Sequence, residues 1–487
     1  MRVDLRKIQS ALDDRGLLEG VSGTLPDAAN GISDDSRTVE PGGLFIAVRG
    51  WQSDGHDFLD SAALRGAACA IVEDAGRTKM PALVVSRGRE SAAVAAATAY
   101  GNPAQQLNII GVTGTNGKTT TTSILRHLME GTSGSAASVG TLGVLLGSEG
   151  SVMPGGAGLT TPGPVELQRV LRALVDEGVR TVAMEVSSHS LDQRRIEGLE
   201  FRVALFTNLS RDHLDYHGTM ESYLAAKARL LQYLRPDGTA IVNADAEEWS
   251  ALRPARPPIT FGVRRMADIR AREVRYTPGG SEWRLATPDG EEAVSLPLIG
   301  DVNVENALAA AAAAFALGIP AGDIADRLGT VPQVPGRLEV ISRHPTVLRD
   351  YAHSPDALER ALSTARAFTR GRLIVIFGCG GDRDKGKRPL MGEIAERGAD
   401  AVIVTSDNPR TEDANSIIDD IEMGMHASKH ERVTDRRAAI ARAIQLAGDG
   451  DIVLLAGKGH ETYQIRGTIA YPFDEKEIVK EIVGKRA

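Results

Sequence analysis

The segment LNIIGVTGTNGKTTTTSILRHLME, Leu107 to Glu130, constrains the fold of this chain most. It reads as a buried strand, a glycine loop and a helix in immediate succession. Strand signals recur downstream in TVAMEV, VALFTNLS and TAIVNA, with helical segments between them. Strands alternating with helices predict a parallel sheet with right-handed crossovers. NVENALAAAAAAFALG closes this stretch as a helix. The expected class is α/β.

Two breaks divide the chain. YGNPAQQ, a Gly-Asn-Pro interruption, ends a first stretch with short strands GLFIAV, CAIVE and ALVVS among alanine-rich helices. VPQVPGR, with Pro332 and Pro335, is the second linker. After it the alternation restarts in TVLRDYA, RLIVIFG, AVIVTS and DIVLLAG, which predicts a second doubly wound unit. A length of 487 residues agrees with three domains, bounded at 1–104, 105–335 and 336–487. Ligand sites are expected at the carboxyl ends of the strands.

Bulk properties exclude several classes. A net charge of −8 argues against a nucleic-acid groove. The longest apolar run is alanine-rich and too short to span a bilayer, and MRVDLRKIQSALDDRG has no apolar signal-peptide core. Two cysteines, Cys69 and Cys379, make no disulfide framework, which fits a reducing cytoplasm. Cys379 reads as a small residue packed by a glycine-rich turn, not as a nucleophile.

Within GVTGTNGKTT, Gly117-Lys118-Thr119 forms the core of a phosphate loop. Glycines let backbone N–H groups face one concavity, Lys118 reaches the β/γ-phosphates, and Thr119 offers a hydroxyl to Mg²⁺. The spacing departs from the general pattern: five residues separate Gly111 from Gly117, so Gly114 is the candidate for the first glycine's work. The plainer reading is a glycine turn, but a turn does not require Gly-Lys-Thr-Thr at a helix start. Glu185 ends the apolar run AMEV and suits a hard cation, although any strand may end in a polar residue. TNLSRDHLDYHG packs Asp212, His213, Asp215 and His217 into six positions, with neither a cysteine pair nor H-E-x-x-H to support zinc. Lys227, among alanines in SYLAAKARLLQYL, reads locally as a solvated helix position.

Taken in order, TGTNGKTTT, MEVSSHSLDQRR, TNLSRDHLDYHGTMESYLAAK, NVENALAA, VPGRLE, DYAHSPDAL, FGCGGDRDKGKRPLM, DNPRTE and GKGHE span most of the chain and resemble the Mur ligases, the ATP-dependent amide-bond synthetases of peptidoglycan assembly. The resemblance implies an N-terminal uridine-binding α/β domain, a central P-loop parallel-sheet ATPase domain and a C-terminal Rossmann-like domain that binds the amino acid. It implies ATP and Mg²⁺, a monomer in the cytoplasm, and a two-step reaction. ATP phosphorylates the terminal carboxylate of UDP-N-acetylmuramoyl-L-alanyl-D-glutamate, and an incoming amine displaces phosphate from the acyl phosphate. Such phosphoryl transfer rests mostly on positioning and charge neutralisation.

The resemblance also assigns roles. Gly114, Thr115, Asn116, Gly117, Lys118, Thr119 and Thr120 hold ATP, with Asn303 and Asn306 on the adenine side. Arg337 at the hinge and Asp350 and His353 of DYAHSP face the nucleotide from the third domain. Thr119, Glu185, His213 and Lys227 serve the metal, Lys227 as a carbamate, which reverses its local reading. Lys118, Lys227 and His213 form the catalytic set. Ser36 of DSR, His56 of DGHDF, Thr160, Thr161, Ser187, Gln193 and Arg195 match contacts to the muramoyl dipeptide. Leu159 and Ala246 depart from the family's usual asparagine and aspartate.

DNPR resembles the branch that adds meso-diaminopimelate rather than L-lysine. The second amino-acid centre of meso-diaminopimelate carries a carboxylate, which a planar arginine fork reads best. The same arginine, left without a partner by L-lysine, would exclude that substrate. Arg383 and Arg410 are the candidates, with Asp407, Asn408, Gly457 and Glu461 around them. The plainer reading of Arg383 is a solvated loop. L-Lysine addition, a folylpolyglutamate-synthetase-like ligase and a non-catalytic nucleotide-binding relative are the alternatives. The segment DSR…PGGLF speaks against the second, and the presence of Lys118, His213 and Lys227 against the third.

Overall fold

A computed structural model describes residues 1–50, 53–132, 134–156, 158–277, 279–427 and 430–484. The chain forms two compact units: Met1–Arg270 with Leu285–Glu291 and Asn306–Arg327, and Ala271–Arg284 with Glu292–Glu305 and Leu328–Ala487. The expected boundary at 104 falls inside the first unit, between its two sheets.

The smaller sheet of the first unit orders Leu18–Ser22, Ala82–Val85, Cys69–Val72, Leu44–Ile46 and Ile32–Ser33, antiparallel at the first pair and parallel elsewhere. Ile8 and Leu12 of the helix Leu5–Asp13 and Val94 of Gly88–Ala99 fill its core with Ile46, Ile71 and Leu83. Val165 of the helix Pro164–Asp176 joins the same core, which ties the smaller sheet to the larger one.

The larger sheet of this unit places Asn108–Thr113 between Val179–Glu185 and Phe201–Phe206, all parallel. Leu234–Asn243 follows Phe201–Phe206 in parallel, and Ser135–Gly140 flanks the other side. Gly143–Leu146 and Ser151–Met153 add antiparallel strands beyond it, a departure from strict strand–helix alternation. The central strand is buried on both faces, which explains its continuous apolar sequence. Register pairs Glu185 with Val112, so Glu185 leaves the sheet beside the strand that feeds the glycine loop.

The second unit has a six-stranded sheet ordered Glu339–Arg343, Thr346–Asp350, Ile452–Ala456, Leu373–Phe377, Ala401–Val404 and His430–Arg432. All neighbours are parallel except the first pair. Pro355–Phe368, Lys387–Gly398 and Ala414–Glu422 cover one face, while Arg436–Leu446 and Glu475–Gly484 cover the other. This is the doubly wound arrangement expected from the alternation. A hairpin, Tyr463–Arg466 with Ile469–Pro472, follows the last strand and had no counterpart in the sequence reading.

Candidate active site

The glycine loop runs from Thr113 into the helix Lys118–Met129. Gly114 has φ +150°, and a Cβ there would stand 1.9 Å from Thr207 Oγ1. Gly117 has φ +84°, and a Cβ there would stand 2.3 Å from Asn306 Oδ1. Both positions therefore require glycine, by conformation and by space. Gly111 lies within the strand, so Gly114 takes the first glycine's place in the loop. The end of the neighbouring strand braces the loop from below. The Thr115 N–H donates to Asn208 O at 2.8 Å, the Asn116 N–H to Asn208 Oδ1 at 2.9 Å, and Thr207 Oγ1 to Asn116 O at 2.7 Å. The loop thus opens onto the first turn of a helix whose N–H groups lack intrahelical partners, a natural anion site.

Two lysines close over this loop. Lys118 Nζ donates to Gly114 O at 2.9 Å and to Thr115 O at 2.7 Å. Lys227 Nζ donates to the same Gly114 carbonyl at 2.8 Å and lies 4.5 Å from the centre of the Tyr223 ring. The solvated-helix reading of Lys227 is therefore wrong: the residue is 1% exposed, because the helix Met220–Ala228 turns it inward with Tyr223 and Ala226. Burial pushes its ammonium well below the ordinary lysine range, and the Lys118 charge adds to the effect against a smaller pull from Asp212. The neutral amine is the nucleophilic form.

Glu185 is 1% exposed at its strand end. Its carboxylate accepts the Thr141 N–H at 2.8 Å and the Thr141 hydroxyl at 3.2 Å. Its carbonyl accepts Thr161 Oγ1 at 2.9 Å, and Thr161 Oγ1 in turn accepts the Ser187 N–H at 3.1 Å. Arg195 donates to Thr161 O at 3.0 Å and to Gln193 Oε1 at 2.6 Å. Thr160 joins through Thr141 Oγ1 at 3.3 Å. Thr160, Thr161, Ser187, Gln193 and Arg195 are thus one connected group on Glu185.

His213 caps the short helix Leu214–His217 in a left-handed conformation, φ +53°. Its ring stacks edge-on to His189 at 4.8 Å, and burial lowers its basicity. His189, which the sequence reading did not single out, is pushed down to about 4, chiefly by burial and then by His213 and His217. Among the described residues, Asp212, His213, Asp215 and His217 form no group of three that could hold a metal.

The smaller sheet carries Ser36 and His56. Ser36 is buried in the turn after Ile32–Ser33, next to Asp34, and a Cβ on Gly163 would stand 3.5 Å from Asp34 Oδ2. This turn therefore borders the loop that bears Thr160 and Thr161. His56 accepts the Glu73 N–H at Nε2 (3.0 Å) and meets Asp54 Oδ1 at Nδ1 (2.7 Å). Both ring nitrogens are used inside the domain, so His56 braces its loop rather than offering a nitrogen to a ligand.

In the second unit, Asp350 ends its strand and accepts the Leu338 N–H at 2.8 Å. Arg337 lies 4.9 Å over the Tyr351 ring, and His353 Nδ1 meets Tyr351 O at 2.9 Å. Asn303 Nδ2 donates to Ile299 O at 2.8 Å on the helix Asp301–Ala316. Asn306 belongs to the first unit, against Gly117.

The segments after Phe377, Val404 and Ala456 meet in the same unit. Asn408 Nδ2 donates to Glu461 Oε2 at 2.8 Å. Asn408 Oδ1 accepts Lys458 Nζ at 3.0 Å and the Ile465 N–H at 2.9 Å. Lys458, inside GKGHE but not assigned a role from sequence, is fully buried and pairs with Glu461 at 3.1 Å. The Gly457 N–H donates to Asp350 O, and a Cβ on Gly457 would stand 2.8 Å from Asp407 Oδ2, an atom buried without a hydrogen-bond partner. Arg410 has φ +52° and donates from Nη1 to Gly381 O at 2.7 Å. A Cβ on Gly380 would stand 3.0 Å from Arg410 Nη1 and 3.8 Å from Arg383 Cγ, so both arginines flank one glycine. Arg383 is exposed there. Cys379 is 3% exposed, and burial pushes its thiol up to about 12, as a packed and unreactive cysteine requires.

Two α/β units, one with a phosphate loop under two lysines and one with paired arginines at strand ends, define an ATP-dependent ligase architecture. The chain belongs to the Mur ligase family. Residues 29–109 match its catalytic-domain model, 112–314 its middle domain and 336–459 its glutamate ligase domain. The UDP-N-acetylmuramoyl-L-alanyl-D-glutamate--2,6-diaminopimelate ligase of Geobacillus kaustophilus is 45% identical over 464 residues, 93% of this chain and 94% of that protein. A solved structure of a ligase of the same name matches with TM-score 0.69 and 34% identity, over 100% of this chain and 99% of the other. A folylpolyglutamate synthase of Mycobacterium tuberculosis, solved with ADP and AMPPCP, shares the fold at TM-score 0.63 and 19% identity over 76% of this chain.

Proposed function

We propose that this chain adds meso-2,6-diaminopimelate to UDP-N-acetylmuramoyl-L-alanyl-D-glutamate, forming ADP and phosphate, in peptidoglycan biosynthesis. The observation that carries this reading is the network of Asn408, two residues along the chain from Arg410, with Lys458 and Glu461 at the strand ends of a unit whose whole-chain relative, 45% identical, bears that activity in its name. In the first step a carboxylate oxygen of the D-glutamyl group attacks the γ-phosphorus of ATP, and ADP leaves. In the second an amine of diaminopimelate attacks the acyl carbon, the amide forms, and phosphate departs with the bonding electrons.

Gly114, Thr115, Asn116, Gly117, Thr119 and Thr120 cradle the ATP phosphates, and Lys118 neutralises their charge. Asn303, Asn306, Arg337, Asp350 and His353 hold the rest of the nucleotide. Ser36, Thr160, Thr161, Ser187, Gln193 and Arg195 bind the UDP-muramoyl dipeptide, with His56 behind them. Arg383 and Arg410 read the distal carboxylate of diaminopimelate, and Glu461 with Asp407, Asn408 and Gly457 holds its ammonium.

Mg²⁺ requires oxygen donors. Thr119 and Glu185 would supply oxygens and His213 a ring nitrogen, and Lys227 would add a carboxylate-like oxygen once its buried neutral amine has taken up carbon dioxide. Bound there, the ion would neutralise charge on the transferring phosphoryl group. The domain division is at 104 and 335, and the enzyme is a cytoplasmic monomer. Among the described residues no helix is long and apolar enough to cross a membrane.

The test is an amino-acid panel with ATP and the UDP-dipeptide, read as ADP release. Release that depends on both the dipeptide and diaminopimelate is expected. Equal turnover with L-lysine overturns the selectivity, and release with folate and glutamate instead overturns the substrate class.

A further inference from the structure

Arg383 and Arg410 stand on irregular loops between Phe377 and Lys387 and between Val404 and Ala414. A guanidinium fork selects a carboxylate only when its direction is fixed. The hairpin strand Tyr463–Arg466 holds the backbone of Arg410, whose N–H donates to Ile465 O at 3.1 Å and whose carbonyl accepts the Gly467 N–H at 2.7 Å; what ties the Arg383 loop to it lies elsewhere.

Arg388 occupies that place. It lies in the first turn of the helix Lys387–Gly398, with its side chain fully buried. Its guanidinium reaches Glu412 at 3.0 and 2.9 Å, Asp420 at 2.7 Å and Gly380 O at 3.3 Å. Glu412 also accepts the Asp382 N–H at 2.6 Å and pairs with Lys385 at 3.2 Å. Asp382 returns two bonds across the gap, accepting the Thr411 N–H at 3.2 Å and its hydroxyl at 2.7 Å. The Gly381 N–H donates to Asn408 O at 2.9 Å. Asp382 and Arg410 both hold left-handed backbones, φ +54° and +52°, which non-glycine residues keep only where the surroundings impose them. These contacts lock the two loops together with Arg388 and Glu412 at the centre.

We propose that Glu412 and Arg388 are positioning residues for amino-acid selection: joined to each other and to both loops, they orient Arg383 and Arg410 toward one carboxylate. The inference rests on the functional reading above. Glu412 is bonded to Arg388, Asp382 and Lys385, none of which is assigned to ATP or the UDP-dipeptide, so its removal touches neither set of residues directly. Removal also leaves Arg388 paired with Asp420, so no bare buried charge results.

The test is steady-state kinetics of Glu412→Ala and Glu412→Gln, with thermal unfolding alongside. For Glu412→Ala the KM for diaminopimelate is expected to rise about tenfold or more, the loss of one charged hydrogen-bonding partner. KM for ATP and for the UDP-dipeptide is expected to stay at the wild-type value, and the preference over L-lysine to fall. Glu412→Gln keeps an acceptor for the Asp382 N–H and is expected to recover part of the loss, and it decides the matter if the alanine variant does not fold. Wild-type KM for diaminopimelate in both variants overturns the inference, as does a fall in kcat with all three KM values moving together. Wild-type enzyme that ignores diaminopimelate overturns the functional reading instead.

Discussion

At residues 114–120 the proposed phosphate cradle is main chain at a helix start, shaped by two glycines and closed by two lysines on one carbonyl. At residues 380–412 and 457–461 the proposed contacts are mostly side chains held in a network: Asn408 bonds to Glu461 and Lys458, Arg410 to Gly381 O, and Arg388 to Glu412 and Asp420. A backbone cradle suits phosphates, which every ATP-dependent ligase must hold. A side-chain network can be retuned one residue at a time, and that suits the recognition of an amino acid that differs from its competitor by one carboxylate. On the proposed function, the first region performs the chemistry and the second decides what is joined.

The contrast is broken most severely at the lysines. Lys227→Ala is expected to abolish turnover, and mass spectrometry of the wild type under native conditions is expected to find one added carbon dioxide on Lys227. An active alanine variant removes the carbamate from the account. Lys118→Met is expected to lower kcat about 10²–10³-fold with an unchanged KM for diaminopimelate, the effect of losing one preorganised donor.

In the second unit the largest effect is on stability. Arg436 and Glu475 form an ion pair with both side chains at 0% exposure, and Arg436 also holds Ala456 O at 2.9 Å, just before Gly457. Arg436→Met leaves Glu475 buried without its partner and is expected to destabilise this unit by about 3–5 kcal/mol in urea unfolding. Arg436→Met combined with Glu475→Gln is expected to recover most of that loss. A single variant as stable as wild type would show that the pair is not what joins these strand ends. Arg410→Ala is expected to raise the KM for diaminopimelate about tenfold to a hundredfold and leave ATP unaffected, as loss of a charged hydrogen bond predicts.

The smallest effect is a pH dependence. The Arg388 guanidinium, and after it the Asp382 N–H, hold the Glu412 carboxyl down at about 2 against an ordinary 4.5. A carboxylate depressed in the folded state contributes stability above its unfolded value, lost as pH falls through the folded one. The difference in urea stability between wild type and Glu412→Gln is therefore expected to be full above pH 4.5 and to close as pH falls toward 2. A difference that does not move with pH would show that the charge of Glu412 does not hold the loops.

The phosphate loop was legible because its signals are local: glycines where φ is positive, an apolar run before them and a helix start after. The strands of the second unit were legible for the same reason, as buried runs closed by Gly, Asp or Asn. Lys227 was misread from its own surroundings, since alanine neighbours do not reveal whether a helix face is covered. His56 was read as a ligand contact, whereas its partners, Asp54 and the Glu73 N–H, occupy both ring nitrogens. Lys458 and Arg388 lay inside motifs that were noticed, GKGHE and GKRPLM, yet nothing in those motifs names Asn408 or Glu412 as their partners.

By itself the sequence determined the α/β class, the order of the strands that end in function, and the residue types able to meet a phosphate or a carboxylate. These follow from periodicity, backbone sterics and side-chain chemistry, all properties of neighbours along the chain. Only the tertiary structure decided which lysine is buried and which is not, and which carboxylate neutralises which arginine. Desolvation and ion pairing depend on segments that meet after folding, and their contact is set by packing rather than by proximity in sequence.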